Sequence, residues 1–289
     1  MVSEMALASQ GVGVNWRRLT SLTMTYLAVA GIALFILVPV YFLFILAFMP
    51  KAEVYSWPLP LFPQHFTLDN FRFFLTINPK IIPSIWRSIE VALTTILIAL
   101  SIGGLAGYSF ARFRFRGKNA LKLSVLFVRM YPGVAVAIPM AVLFMRLGLY
   151  DTPFPIALAL NYGVGNIGLT IWITASIFLG INEELEEQAM VLGLSRMGAF
   201  FRITLPLAAP GLAAAAIYTF IGAWNEVVIA TLMTQFNPTL AAVTYHTVAA
   251  AAGSLHLQSA GGAFMAFPAL IFTFIIKRYI IQMWGGVRI

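Results

Sequence analysis

The stretch NEELEEQAMVLGLSRMGAFFRITLP, Asn182 to Pro206, decides how this chain is read. Only ten of the 289 residues are acidic, and four of them, Glu183, Glu184, Glu186 and Glu187, fall within five positions of that stretch. The chain is 61% hydrophobic and 10% charged. A soluble domain is nearer half apolar and a quarter charged, so one aqueous core cannot hide this excess. The composition implies a polytopic membrane protein. Four acids between two long apolar runs then mark a place where the chain leaves lipid and works in water.

Working outward, six segments are apolar enough to cross a bilayer, which takes about 20 helical residues. They are Leu22–Met49, Ile85–Ala111, Leu123–Leu147, Ile156–Leu179, Leu207–Met233 and Gly261–Trp284. No barrel-like alternation is present, so the backbone must satisfy itself as helix, and the fold class is all-α. Residues 1–21 form a polar leader to an uncleaved first span, because the following apolar run is too long for a signal-peptide core. Residues 22–289 read as one membrane domain with a loop at 181–206.

Lys and Arg set the orientation. Twelve of the 18 fall on one side: Arg17, Arg18, Arg112, Arg114, Arg116, Lys118, Lys122, Arg196, Arg202, Lys277, Arg278 and Arg288. Lys51, Arg72, Lys80 and Arg87 fall on the other, and Arg129 and Arg146 lie within the third segment. The richer side is expected to be cytoplasmic, with both termini and the acidic loop. This distribution explains the net charge of +8 better than nucleic-acid binding does. Cys is absent, and His65, His246 and His256 have no metal-ligand spacing. On the outer side, Pro50 to Ser84 carries six prolines among Trp57, Phe62, Phe66 and Phe71, which predicts a folded lip. A second outer connection, Thr234 to Ala260, is flexible by composition.

Within the opening stretch, Asn182 can cap a helix whose first-turn acids complement its positive end. Leu185, Ala189 and Leu192 fall at i, i+4 and i+7 as one apolar stripe. Gly193 is a natural stop, Ser195 can cap a second short helix, and Pro206 ends it or starts the next span. The expected unit is helix, tight turn, helix, lying on the cytosolic surface. It is either packed on its own bundle or offered to a partner.

The pattern EEQAMVLGLSRMGAFFRITLP resembles the cytoplasmic loop signature of permease subunits in binding-protein-dependent ABC importers. That signature is Glu-Ala-Ala, three residues, Gly, nine residues, Ile, one residue, Leu-Pro. Glu187, Gln188 and Ala189 stand at the right distance from Gly193, and Ile203, Leu205 and Pro206 follow at the right gap. Gln188 replaces the first Ala. FTLDNFRFF, GGLAGYSFARFRFRGK, MYPGVAVAIPMAVLFMRLGLYDT and GAWNEVVIA are similar to further segments of carbohydrate-type permeases, and the closing WGGVRI to the tail of the smaller maltose-type subunit. The resemblance implies a type I ABC importer permease fold of six spans. It implies a coupling helix docked in a cytosolic ATPase through Glu183, Glu184, Glu186, Glu187, Gln188, Ala189, Leu192, Gly193 and Arg196. It implies an ATPase contact at Gly285, Gly286 and Val287. The expected partners are a second homologous permease, two ATPase subunits, an extracytoplasmic solute-binding protein and a sugar.

The chain carries no G-x-x-x-x-G-K-[ST] phosphate loop, since Gly117-Lys118 lacks the upstream Gly and the following Ser/Thr. No cofactor is expected on this chain, and no catalytic residues; ATP and Mg²⁺ belong to the ATPase. In the fifth span Trp224, Asn225 and Glu226 offer a flat apolar face and hydrogen-bonding groups, which suit a sugar path, the alternative being internal packing by Trp224 and pairing of Glu226 with a neighbouring cation. An ionised group at mid-membrane costs about 2.5–3.5 kcal/mol on insertion scales, so Glu226 needs a reason. Tyr245, His246 and Gln258 face the expected binding protein, as a contact or as a packed lid. Arg129 can snorkel to headgroups, Pro132 and Pro139 can kink the third span, and Gly103, Gly104 and Gly107 permit close helix contact. Competing readings are a permease for another solute, an intramembrane enzyme and a passive channel. The enzyme would need a convergent acid–base or metal set, and the channel would need no docking helix.

Overall fold

The computed structural model describes residues 16–251 and 253–285, with side chains at 20–128, 130–251 and 253–274. Thirteen α-helices and one π turn, and no strand, are found among the described residues. Among the described residues five helices are long and apolar enough to span a membrane, six where a bent pair is counted as one span.

Helix α1, Trp16–Phe48, starts six residues before the expected span. Its first half is exposed along its apolar length, as a lipid-facing rod must be. Its second half packs on the last helix, α13 (Leu255–Gly285), where Phe44 meets Phe267 edge-on at 5.3 Å. The lip between α1 and the second span holds two helices, α2 (Lys51–Val54) and α3 (Asp69–Ile77). Glu53 organises it by accepting hydrogen bonds from the backbone N–H groups of Gln64 and His65 at 3.1 and 2.8 Å. Asn70, buried, donates to the carbonyls of Ala47 and Met49 and ties α3 to the end of α1.

Helix α4, Ile81–Arg112, is the longest packed rod, and α7, Ile156–Leu179, lies closely against it. The approach depends on missing side chains. A Cβ on Gly107 would sit 2.0 Å from Thr174 Oγ1, and one on Gly103 would sit 2.9 Å from Thr170 Cβ. Thr174 Oγ1 also donates to the Gly103 carbonyl across the helix pair, at 3.1 Å. Gly104 differs: a Cβ there would meet nothing within 4 Å, so it is not a contact glycine.

The third span departs from expectation. It is two helices, α5 (Lys118–Met130) and α6 (Gly133–Arg146), bent by 83°. Pro132 forces Tyr131 out of the helical region, to φ −71 and ψ 128, and supplies no N–H of its own. Pro139, in contrast, stays inside α6 without ending it. The fifth span is also shorter than expected: α10, Leu205–Trp224, stops before Asn225, and a separate α11, Val228–Met233, follows. The connection expected to be flexible folds into α12, Leu240–Ala250, capped by Thr239 Oγ1 accepting from Ala242 N–H. The last span begins at Leu255 instead of Gly261.

The main core lies toward the lip end, where Val91, Phe144, Leu158, Phe220, Trp224 and Leu240 meet from five helices. A second cluster, Tyr108, Phe178, Phe200 and Ala208, closes the opposite end and supports the acidic loop.

Candidate functional site

The acidic loop leaves α7 at Gly180 and forms α8, Glu184–Val191, and α9, Arg196–Ala199. Asn182 Oδ1 accepts from Glu184 N–H at 3.1 Å and starts α8 as the sequence predicts. Gly193 ends it at φ +94. Leu194 N–H reaches Ala189 O at 3.1 Å and Gly193 N–H reaches Met190 O at 3.0 Å, the two bonds of a Schellman stop. Ser195 Oγ accepts from Gly198 N–H at 3.1 Å and caps α9. The chain then continues through a π turn, Phe200–Thr204, into α10, so Pro206 opens the next span.

Two sequence expectations about this loop are corrected. Leu185, Ala189 and Leu192 do not form one buried stripe: Ala189 is buried, whereas Leu185 is 40% and Leu192 86% exposed. Glu186 does not stand with the surface acids. Its carboxylate is buried at 3% exposure, while Glu183, Glu184, Glu187, Gln188 and Arg196 are exposed. Arg112 Nε donates to Glu186 Oε1 at 2.7 Å, Tyr108 Oη donates to Oε2 at 2.7 Å, and Arg112 Nη2 reaches the Ile181 carbonyl at 3.0 Å. Burial alone would raise the Glu186 pKa, but the bonds from Tyr108 and Arg112 hold it below the ordinary carboxylate value. The inward face of α8 is thus Glu186 and Ala189. On the outward side Val191, 87% exposed, and Leu192 form an apolar crest, and Met197 and the acids Glu183, Glu184 and Glu187 are exposed as well.

Basic side chains gather at this end too. Lys122 Nζ lies over the rings of Phe110 and Trp172 at 5.8 and 5.7 Å, and Arg196 lies over Phe113 at 5.2 Å. Gly285 closes α13, and Gly286 and Val287 lie outside the described residues, as does the Arg129 side chain.

The residues assigned to a solute path are separated by the break after α10. Trp224 is 1% exposed, its indole stacks on Phe220 with centroids 5.5 Å apart, and its Nε1 donates to the Met265 carbonyl. Its face is therefore spent on packing, which corrects the expectation that it meets a sugar. Glu226 Oε1 accepts from Ile229 N–H at 3.0 Å and satisfies the start of α11, which supplies its reason for being there. Asn225 remains exposed at the break.

Two hollows flank these elements. One of about 760 Å³ lies between α5, α6 and α7, lined by Phe127, Tyr131, Val136, Met140 and Asn161. The other, about 500 Å³ at the lip end, is more polar, with Asn78, Lys80, Tyr150, Thr231, Gln235 and His246. His246 thus reaches a recess. Its neighbour Tyr245 is 56% exposed and touches it ring to ring, and Gln258 is half-buried in the first turn of α13.

Sequence reasoning missed two buried arginines. Arg112 is one. Arg87, at the other end of α4, donates to the carbonyls of Thr152 and Pro153. Asp151 beside them, at φ 50, accepts the backbone N–H groups of Gln235, Phe236 and Asn237. The available signal was Tyr108 and Arg112 four residues apart on one helix face.

Residues 99–283 match the model of the family described as binding-protein-dependent transport system inner membrane component. The chain belongs to this family. The permease is 32% identical over 252 residues to the trehalose transport system permease protein SugB of Mycobacterium tuberculosis, covering 85% of this chain and 89% of that one. It is 31% identical over 208 residues to the inner membrane ABC transporter permease protein YcjP of Escherichia coli, covering 70% and 73%. It is 38% identical over 154 residues to the maltose/maltodextrin permease protein MalG of Yersinia pestis, covering 52% and 50%. Its fold superimposes on a chain of a bacterial ABC transporter importing alginate, with TM-score 0.67, 19% identity and coverage of 93% and 97%. It also matches a chain of the MetNI methionine transporter at TM-score 0.58 and 16% identity, over 70% of the permease and 95% of that chain. The fold alone therefore does not choose the solute.

Proposed function

We propose that the permease is one half of the translocation path of an ATP-driven sugar importer, coupled to a cytosolic ATPase through α8. The observation that carries this reading is the crest of Val191 and Leu192, two large apolar side chains exposed on a loop outside the spans. An eight-residue helix is marginal in water. One that hides its acid Glu186 and shows its leucine is built to be covered. Glu183, Glu184 and Glu187 are exposed as well and would pair with basic residues on the covering surface. A sugar is supported by the trehalose, maltose and diacetylchitobiose permeases among the relatives.

On this reading a second homologous permease completes the path, two ATPase subunits bind ATP and Mg²⁺, and a solute-binding protein docks on the lip. Tyr245 and His246 stand at that lip, and Gly285, Gly286 and Val287 are the expected C-terminal contact with the ATPase pair. The basic end formed by Arg112, Arg114, Arg116, Lys118, Lys122, Arg196 and Arg202 faces the cytosol, in a cell membrane, with both termini inside. Nucleotide-driven closure of the ATPase pair moves the crest, and the spans rock between inward-open and outward-open states.

The test uses the assembly in proteoliposomes. A cysteine at Leu192, in a chain with no native Cys, should cross-link to the ATPase, and radiolabelled trehalose or maltose should enter only with ATP and binding protein. A Leu192 cysteine that never cross-links refutes the coupling role. Uptake of amino acids in place of both sugars refutes the solute class.

A further inference from the structure

A docked helix transmits force only if it cannot swivel. Helix α8 is tied to α7 by a short link, residues 180–183, and through α9 and the π turn to α10, and links of that kind alone would let it swivel. The attachment across to α4 is the buried carboxylate of Glu186. Each of its oxygens takes a separate bond, from two residues one turn apart on α4, and Arg112 grips the link itself at Ile181 O. The side chains of Arg112 and Glu186 are both 4% exposed, so water does not compete for this contact.

Helix α4 carries the attachment onward. It packs closely on α7 at Gly103 and Gly107, where a Cβ could be added only with a shift. At its far end Arg87, 7% exposed, holds the carbonyls of Thr152 and Pro153, next to Asp151 and the three amides that Asp151 binds. The two arginines lie about 37 Å apart along one helix at 1.5 Å per residue.

We propose that Glu186, Tyr108 and Arg112 form a clamp that makes α8 and α4 one rigid body, and that α4 carries the movement of the loop to the lip end. Glu186 is a positioning residue in this scheme and touches no ATPase. The proposal rests on the reading of α8 as the coupling helix, and its test is separate from the Leu192 cross-link that probes that reading.

The absence of native Cys makes the test direct. A single cysteine replaces Tyr131, which is 63% exposed beside the larger hollow. In the purified assembly its rate of reaction with a small maleimide is measured with and without ATP, alongside ATP hydrolysis. The expected result is an ATP-dependent change in rate that Glu186→Gln reduces about tenfold while hydrolysis and the Leu192 cross-link persist. The charge exchange Glu186→Arg with Arg112→Glu should recover part of it, which a purely packing role would not allow. If Glu186→Gln fails to assemble, Tyr108→Phe, which deletes one bond at constant shape, decides: a weakened ATP response supports the clamp. An unchanged ATP response in the assembled variants overturns it. So does hydrolysis falling in proportion to the response, or a parent cysteine whose labelling ignores ATP.

Discussion

Gly193 offers a perturbation whose magnitude follows from geometry alone. A Cβ built there meets nothing within 4 Å, so Gly193→Ala creates no clash inside this chain. The whole cost is conformational, because φ is +94 and an L side chain in the left-handed region loses about 1–2 kcal/mol. That loss falls on the two bonds that stop α8, Leu194 N–H to Ala189 O and Gly193 N–H to Met190 O. Hydrogen exchange of the Leu194 amide should therefore accelerate about 5- to 30-fold in Gly193→Ala. Gly193→Asn, whose side chain visits this region more readily, should lose less. Exchange elsewhere, for example at Thr174 in the α4–α7 contact, should not change. Equal loss in the Ala and Asn variants would refute the left-handed account. So would an Ala variant with wild-type protection at Leu194.

Three further outcomes are expected. Protection of the acidic loop should depend on pH in one direction: the folded Glu186 pKa lies below its unfolded value, so its stabilisation is present at neutral pH and is lost as pH falls through that folded value. Glu186→Gln, which breaks a buried pair worth about 3–5 kcal/mol on removal of one partner, should abolish that acid step in an exchange titration. Gly107→Ala should destabilise the helix pair by about 1–3 kcal/mol in thermal unfolding, and Thr174→Ala in the same chain should restore only part of it, since the added Cβ would meet Thr174 Oγ1 at 2.0 Å but also the backbone N of Ala175 at 2.9 Å. Trp224→Phe should lower thermal stability yet leave the ranking of transported sugars unchanged; a switched preference would return Trp224 to the solute path.

The membrane class was legible because apolar length and charge asymmetry are properties of single segments. The stop at Gly193 and the caps at Asn182 and Ser195 were legible because each involves neighbours only three or four residues apart. What escaped is long-range. Glu186 looked like its three acidic neighbours because its partners Tyr108 and Arg112 lie more than 70 residues earlier. The amphipathic stripe failed for a related reason: a helix awaiting a partner shows its leucine and buries its acid, the reverse of a solvated helix. Trp224 stayed open between a solute path and packing because an indole offers the same face to a sugar and to Phe220. Pro132 was visible as a kink, but whether a proline bends a helix, as Pro139 does not, or divides it depends on what replaces the lost hydrogen bonds.

The division at Pro132 has a consequence for hydration. At 13 and 14 residues, α5 and α6 are each about 20 Å long, short of the ~30 Å of hydrocarbon. The peptide groups around Tyr131 therefore stand at a break with part of their helical bonding missing, and oil offers them nothing. The neighbouring hollow resolves this only when it is wet. Water held at that break would then let a hydroxylated traveller exchange one set of water-like partners for another in place of bare lipid.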